Sequence, residues 1–301
     1  MRKGSNNMRI EDERYELNWK RLDPESKWCL PAKKFTGVNT ALSFFGGVVF
    51  TLIFYAVLFP FKRITTSPMI HMFFHGGQEN RSSIPYLTVF LTMWCLAFIV
   101  IKWKKLNIQR MALKYKLVPD HVTGFVLSPD NSSEILYNLD KNVCMANGFI
   151  VLNRVKKALT NLKNIGRVSD VSSLLNDLAA TDEKYTESTY TIVKGIIWAI
   201  PISGFIGTVL GLSEAVGGFG NVLAEGGNIE TLKNSLGGVT SGLSVVFETT
   251  LIALIAAMII QLLLTFLMQK EEAFLDECSG YCHKNIIEKL KMIDVKDPWQ
   301  N

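Results

Sequence analysis

Residues 195–212 (Gly-Ile-Ile-Trp-Ala-Ile-Pro-Ile-Ser-Gly-Phe-Ile-Gly-Thr-Val-Leu-Gly-Leu) run 18 positions without a charge, between Lys194 and Glu214. At 1.5 Å per residue a helix of that length spans the ~30 Å hydrocarbon core of a bilayer. Ser203, Gly204, Gly207, Thr208 and Gly211 recur at spacings of three and four, so a helix gathers them on one small, partly polar face. Small faces let membrane helices approach closely and bond through hydroxyls. Pro201, one turn earlier, removes a backbone donor and favours a kink.

Three further apolar runs accompany it. The chain is 48% hydrophobic over 301 residues, too apolar for an ordinary soluble protein of this length, and the excess sits in these runs. The pattern predicts an all-α polytopic membrane protein with four transmembrane helices at 38–61, 84–101, 191–212 and 243–268. Between and around them lie an N-terminal segment (1–37), a loop (62–83), a long polar stretch (102–190), a Gly-rich loop (213–242) and a C-terminal helix (269–301). Lys and Arg number nine in 1–37, thirteen in 102–190 and five in 269–301, against three in 62–83 and one in 213–242. The positive-inside rule therefore puts both termini and 102–190 in the cytoplasm, and the two poorly charged loops outside.

The polar segments carry weaker signals. Residues 9–22 read either as a short helix on the membrane surface or as a solvated tail. Residues 118–135 are turn-rich. Over 147–165, Ile150, Val151, Val155, Leu159, Leu162 and Ile165 form an apolar stripe while Arg154, Lys156, Lys157 and Lys163 cover much of the remainder; Val171, Leu174, Leu175 and Leu178 mark a second helix. These helices are expected to extend the membrane bundle into the cytoplasm without forming a globular domain. Arg154, Lys156, Lys157, Asp170, Asp182 and Glu183 read either as a charged face for a cytoplasmic partner or as plain solvated surface.

Metal and enzyme chemistry find little support. His71 and His75 are four apart, but only Glu79 is a nearby carboxylate and no cysteine is close. Cys278 and Cys282 sit one turn apart beside His283, where a fourth zinc ligand is wanting and an amphipathic helix accounts for both thiols. None of the five cysteines falls in a segment assigned to the outer side, so no disulfide framework is expected. No phosphate loop, nucleophile elbow or His-Glu-x-x-His is present. No enzyme activity, cofactor or nucleic-acid partner is expected.

Depth arithmetic links the third and fourth runs. Thr208 lies 14 residues past Lys194, ~21 Å from the inner boundary and ~9 Å below the outer surface. Thr250, seven residues into the fourth run, lies ~10 Å below that surface. Thr250, Ala253 and Ala257 share a small-residue face that answers the glycines of the third helix. Two hydroxyls at one level either line a hydrated path or back-bond to their own helix carbonyls; spacing alone leaves both open. Glu248, the one carboxylate in a predicted span, lies ~7 Å deep, where burial is costly without compensation. It is read either as part of an ion path or as an interfacial carboxylate.

Pro201-Ile-Ser-Gly204-Phe-Ile-Gly207-Thr208-Val-Leu-Gly211 resembles the third-helix signature of the MotA/TolQ/ExbB proton-channel family, Pro-x-x-Gly-x-x-Gly-Thr-Val-x-Gly. Gly242-Leu-Ser-Val-Val-Phe-Glu248-Thr249-Thr250-Leu-Ile-Ala-Leu resembles its last membrane helix. The resemblance is strongest over 147–283, and the four-span layout is closer to the flagellar stator type than to the three-span members. It implies a homopentameric ring in the bacterial inner membrane, around a single-span partner dimer of the MotB/TolR/ExbD type with an intramembrane aspartate. It also implies a flow of H+, or of Na+, that turns the ring and drives a cytoplasmic rotor or another effector. Pro201 would be the kink proline, and Thr208 and Thr250 the pore threonines, with Ser203, Glu248 and Thr249 as further ion-path candidates. Gly204, Gly207, Gly211, Ala253 and Ala257 would serve helix packing. The sequence departs from the family where a proline often follows the fourth-helix threonine: Leu251 to Ile260 contains none. The competing reading is a non-conducting membrane scaffold or signalling assembly, with the glycine face serving packing alone.

Overall fold

A computed structural model describes residues 17–26, 33–64, 73, 84–115, 127–165, 168–224 and 229–290. Their elements in order are β1 (Leu17–Asn18), α1 (Trp19–Leu22), α2 (Thr40–Ile64), α3 (Ile84–Ala112), α4 (Pro129–Asn142), β2 (Val143–Cys144), α5 (Ile150–Ile165), α6 (Val168–Ser188), α7 (Thr191–Ala224) and α8 (Ile229–Asn285). Among the described residues the chain is helical but for a two-residue parallel pairing, Leu17 with Val143 and Asn18 with Cys144, and an isolated bridge between Leu127 and Leu290. It divides into two compact units, one of Met1–Asn39, Ile101–Thr189 and Leu267–Asn301, the other of Thr40–Val100 and Tyr190–Phe266.

The second unit holds the apolar helices. Among the described residues, four helices are long and apolar enough to cross a membrane: Thr40–Phe61, Ile84–Ala112, and stretches within Asp170–Gly218 and Phe247–Lys289. Small residues set how closely neighbours pack. A Cβ at Gly47 of α2 would lie 2.7 Å from the Cα of Trp94 on α3. The indole Nε1 of Trp94 donates to Ser43 Oγ at 3.1 Å, and its ring meets Phe44 edge to face. Side chains elsewhere point outward: Trp198, Ile202, Phe205 and Val209 of α7, and Phe247, Leu251, Leu254 and Met258 of α8, are exposed over about half their area or more.

The first unit has a core of its own, which corrects the expectation of helices without a globular domain. Its centre is α5, where Ile150, Val151, Leu152, Val155, Ala158 and Leu159 have no exposed area. Gln109 on α3 serves the start of this helix: its Oε1 accepts from Ile150 N at 3.0 Å and its Nε2 donates to Gly148 O at 2.7 Å. That satisfies one of the donors a helix N-terminus leaves open. The segment before α2 is neither tail nor surface helix over its described part. Trp19 is buried against Phe149, edge to face at 5.1 Å, directly over Gly148.

The charged-face reading of 154–183 is corrected for Arg154 and Asp182, while Lys157 and Glu183 are exposed. Arg154 is 1% exposed; its Nε donates to Asp182 Oδ2 at 2.8 Å and its Nη1 to Ser279 Oγ at 3.0 Å. An apolar stripe flanked by charges looks one-sided in sequence, but α4 and α6 both pack on α5, so its Arg154 side is buried and must be paired. Lys156 is half-buried and bound to Asp140 at 2.6 Å.

Two loop expectations change as well. Ser128-Pro129-Asp130, read as a turn, starts α4: Ser128 caps it by accepting from Asn131 N, and Pro129 takes the first turn, where its missing donor costs nothing. The Gly-rich 213–242 stretch is mostly helix, since α7 runs to Ala224 and α8 begins at Ile229. The apolar spacing of 198, 202, 205, 209, 212 and 216 carries α7 past the expected end, and glycine, though worth ~1 kcal/mol less than alanine, is common in membrane helices. His71, His75 and Glu79 lie outside the described residues.

Candidate ion pathway

The glycine face of α7 meets the small face of α8. A Cβ at Gly204 would lie 2.7 Å from Ala253 Cβ and 3.3 Å from Thr250 Cα. Only a residue without a side chain fits there, and the two backbones approach accordingly. Ala253 is fully buried, and Ala257, one turn on, is 7% exposed.

That approach brings the two threonines together. Thr208 Oγ1 and Thr250 Oγ1 are hydrogen-bonded to each other, as their equal depth leads one to expect. Each also reaches the carbonyl of Gly204 at 3.1 Å. Three contacts share two hydroxyl protons, so one hydroxyl donates to the carbonyl and the other to its neighbour. Thr208 therefore back-bonds to its own helix at Gly204, and Thr250 reaches the same carbonyl from α8. Both threonines are half-buried, which leaves the pair open on one side.

The other candidates separate. Thr249 Oγ1 lies 3.5 Å from the Cβ position of Gly207, and Ile84 of α3 closes the same spot from the other side at 3.1 Å. Glu248 is half-buried; two residues from Thr250 on a helix of ~100° per residue, it points about 200° away and faces a different side of α8. Gly211 and Pro201 are half-buried within α7.

Ser203 is not brought to the threonine pair. It is 4% exposed and bonds Thr88 Oγ1 of α3 at 3.0 Å, while also donating to Ile200 O at 2.7 Å. Sequence reading missed Thr88, which is 2% exposed in an otherwise greasy run; a buried hydroxyl there was the available signal. An interhelical hydroxyl pair of this kind contributes ~0.6 kcal/mol on average and at most ~1.7. Each hydroxyl keeps a carbonyl in its own helix, Thr88 that of Ile84 at 3.0 Å. Ser203→Ala is therefore expected to lower the melting temperature only slightly and leave ion flux unchanged, which a thermal melt and a flux assay on the same preparation will check.

Metal binding gains nothing: no group of three or more His, Cys, Asp or Glu is placed to hold an ion among the described residues. Cys278 and Cys282 are buried in the helix packing of the first unit, as an amphipathic helix requires.

The family model described as "MotA/TolQ/ExbB proton channel family" matches residues 150–279. No curated protein and no solved structure gives a match. The matched stretch holds α5, α6, α7 and most of α8, and so the whole Gly204, Thr208, Thr250 and Ala253 contact. Residues 150–279, a little under half of the chain, are thus similar to the MotA/TolQ/ExbB proton channel family.

Proposed function

We propose that this chain is the channel-forming subunit of a motor complex driven by the proton motive force. Five copies surround a single-span partner dimer of the MotB/TolR/ExbD type in the bacterial inner membrane, with both termini and the first unit in the cytoplasm. An intramembrane aspartate of the partner binds and releases the ion, H+ by preference and Na+ by the same oxygen chemistry. Thr208 and Thr250 line its path, with Thr249 beside them. The observation that carries this reading is the half-open hydroxyl pair at the closest approach of the two family-signature helices. The exposed apolar faces of α7 and α8 support the ring, since Trp198 and Phe205 at 75% and 64% exposure are open to lipid or to neighbouring copies. Ion flow past alternating sites then turns the ring, and the cytoplasmic unit passes the rotation to a rotor or other effector.

The test is ion flux into liposomes holding the ring with its partner. Thr208→Val and Thr250→Val keep side-chain volume and remove the hydroxyl; each is expected to cut flux severalfold while the assembly still elutes intact. Wild-type flux in both variants would remove these threonines from the path. Flux that follows a Na+ gradient and ignores a pH gradient would assign the ion.

A further inference from the structure

Five ionisable side chains with almost no exposed area meet in the first unit. Lys102 and Lys105 stand one turn apart on α3, both 0% exposed. Lys105 Nζ lies 2.8 Å from Glu25 and 3.5 Å from Asp23, and donates to Gly37 O at 2.7 Å. Lys102 Nζ lies 3.2 Å from Glu271 of α8 and donates to Thr189 Oγ1 at 2.7 Å and Thr36 O at 3.4 Å. Asp23 and Glu25 have no exposed area and Glu271 has 1%. Other titratable groups at the rim are Lys33, exposed on the strap, and Tyr185 of α6, whose hydroxyl donates to Lys34 O at 3.2 Å.

With all five ionised, the cluster carries two positive and three negative charges. A buried net charge is strongly unfavourable, and one bound proton cancels it, whereas losing a lysine proton would make the imbalance worse. The geometry singles out one carboxyl for that proton. Glu25 accepts from three donors: Lys105, Lys33 N at 3.0 Å and Asn39 N at 2.7 Å. Glu271 meets the Lys102 ammonium at 3.2 Å through Oε2, although its buried Oε1, like Asp23 Oδ2, makes no hydrogen bond among the described residues; Asp23 has the longer contact, 3.5 Å, and to a Lys105 that Glu25 already holds at 2.8 Å. Asp23 accepts from Glu25 N at 3.1 Å through Oδ1, but its buried Oδ2 makes no hydrogen bond among the described residues. Burial raises the pKa of Asp23 above the ordinary carboxylate value, outweighing the opposing pull of Lys105.

We propose that Asp23 is a proton-binding site whose occupancy locks the strap of residues 17–26 and 33–39, which leads into α2, onto α3. With the proton on Asp23 the cluster is neutral and the strap is held. When Asp23 gives the proton to water, a net negative charge is left buried, and it is relieved by admitting water between strap and helix. The sign follows from the raised pKa: the folded state binds this proton more tightly than the unfolded one, so the stabilisation is present at low pH and lost as pH rises through the folded value. This site is independent of the conduction reading.

The experiment uses the full chain in detergent micelles. Hydrogen exchange of strap amides, corrected for intrinsic pH dependence, is followed across a pH series, with infrared spectra of the protonated-carboxyl stretch over the same series. Strap protection is expected to fall as pH rises, together with loss of a protonated-carboxyl band. Both changes should be absent in Asp23→Asn, which mimics the protonated state and stays protected. In Glu25→Gln the cluster is balanced without a proton on Asp23, so the carboxyl band should be lost at lower pH while the strap stays protected through that loss. Strap protection flat across the series in the wild type, an unchanged transition in Asp23→Asn, or a wild-type-like loss of strap protection in Glu25→Gln would each overturn the proposal.

Discussion

Gly204→Ala is expected to stop ion flux and lower the thermal stability of the apolar unit, although it adds a single methyl group. The new Cβ would sit 2.7 Å from Ala253 Cβ and 3.3 Å from Thr250 Cα. Neither atom belongs to a flexible side-chain end, so relief requires α7 and α8 to part. Overpacking of this kind costs about 1–3 kcal/mol. The functional loss should exceed what stability alone explains, because the same displacement separates the Thr208 and Thr250 hydroxyls and breaks their shared hold on the Gly204 carbonyl. Adding Ala253→Gly to Gly204→Ala removes the shorter contact and leaves the 3.3 Å one, so the double variant should recover much of the melting temperature and part of the flux. A coupling of about 0.5–3 kcal/mol between the two sites is the signature of direct contact. Wild-type flux and melting in Gly204→Ala would show that the helices do not meet here. Paired thermal melts and liposome flux on the four proteins of the cycle decide it.

Arg154→Met should be the most destabilising change in the polar unit. It leaves Asp182, 4% exposed, without its guanidinium partner, and Ser279 Oγ without its donor. Breaking a buried ion pair from one side costs about 3–5 kcal/mol, mostly through the charge left behind. Removing both charges is a different matter, since apolar replacements of similar size are often neutral. Arg154→Met with Asp182→Leu should therefore melt well above Arg154→Met alone. Denaturant unfolding of the full chain, followed by hydrogen exchange of the α5 amides in that unit's core, distinguishes the two cases. Equal losses in the single and double variants would mean that the pair acts through geometry and not through charge.

The hydroxyl contact was legible before any coordinates. Thr208 and Thr250 each sit a countable number of 1.5 Å steps from a charged boundary, and the glycine and alanine spacings named the faces that would meet. Thr88 was not singled out, because Thr88 and Thr92 in a greasy run satisfy their hydroxyls on their own helix as readily as on a partner, and spacing does not say which of them meets another helix. Ser203 shares the sequence spacing of the Gly204 face, yet it turns to α3 because α7 is wedged between two helices, and 3.6-residue geometry does not say which neighbour each side takes. Helix extent over 213–242 was misread for a local reason, since glycine signals a turn in water more strongly than it does in an apolar helix.

What the sequence by itself determined is therefore everything that depends on local hydrophobicity and period: four apolar runs, their expected direction from Lys and Arg counts, and the small faces that carry the hydroxyls. Only the tertiary structure decided where the charges go. Arg154 pairs with Asp182, 28 residues away, and with Ser279, 125 residues away, and Lys102 finds Glu271 on another helix. A charged residue looks the same in sequence whether it faces water or a partner. Burial is a property of what packs over it, and the segments that do so here, α4, α6, the strap before α2 and the far end of α8, come from widely separated parts of the chain.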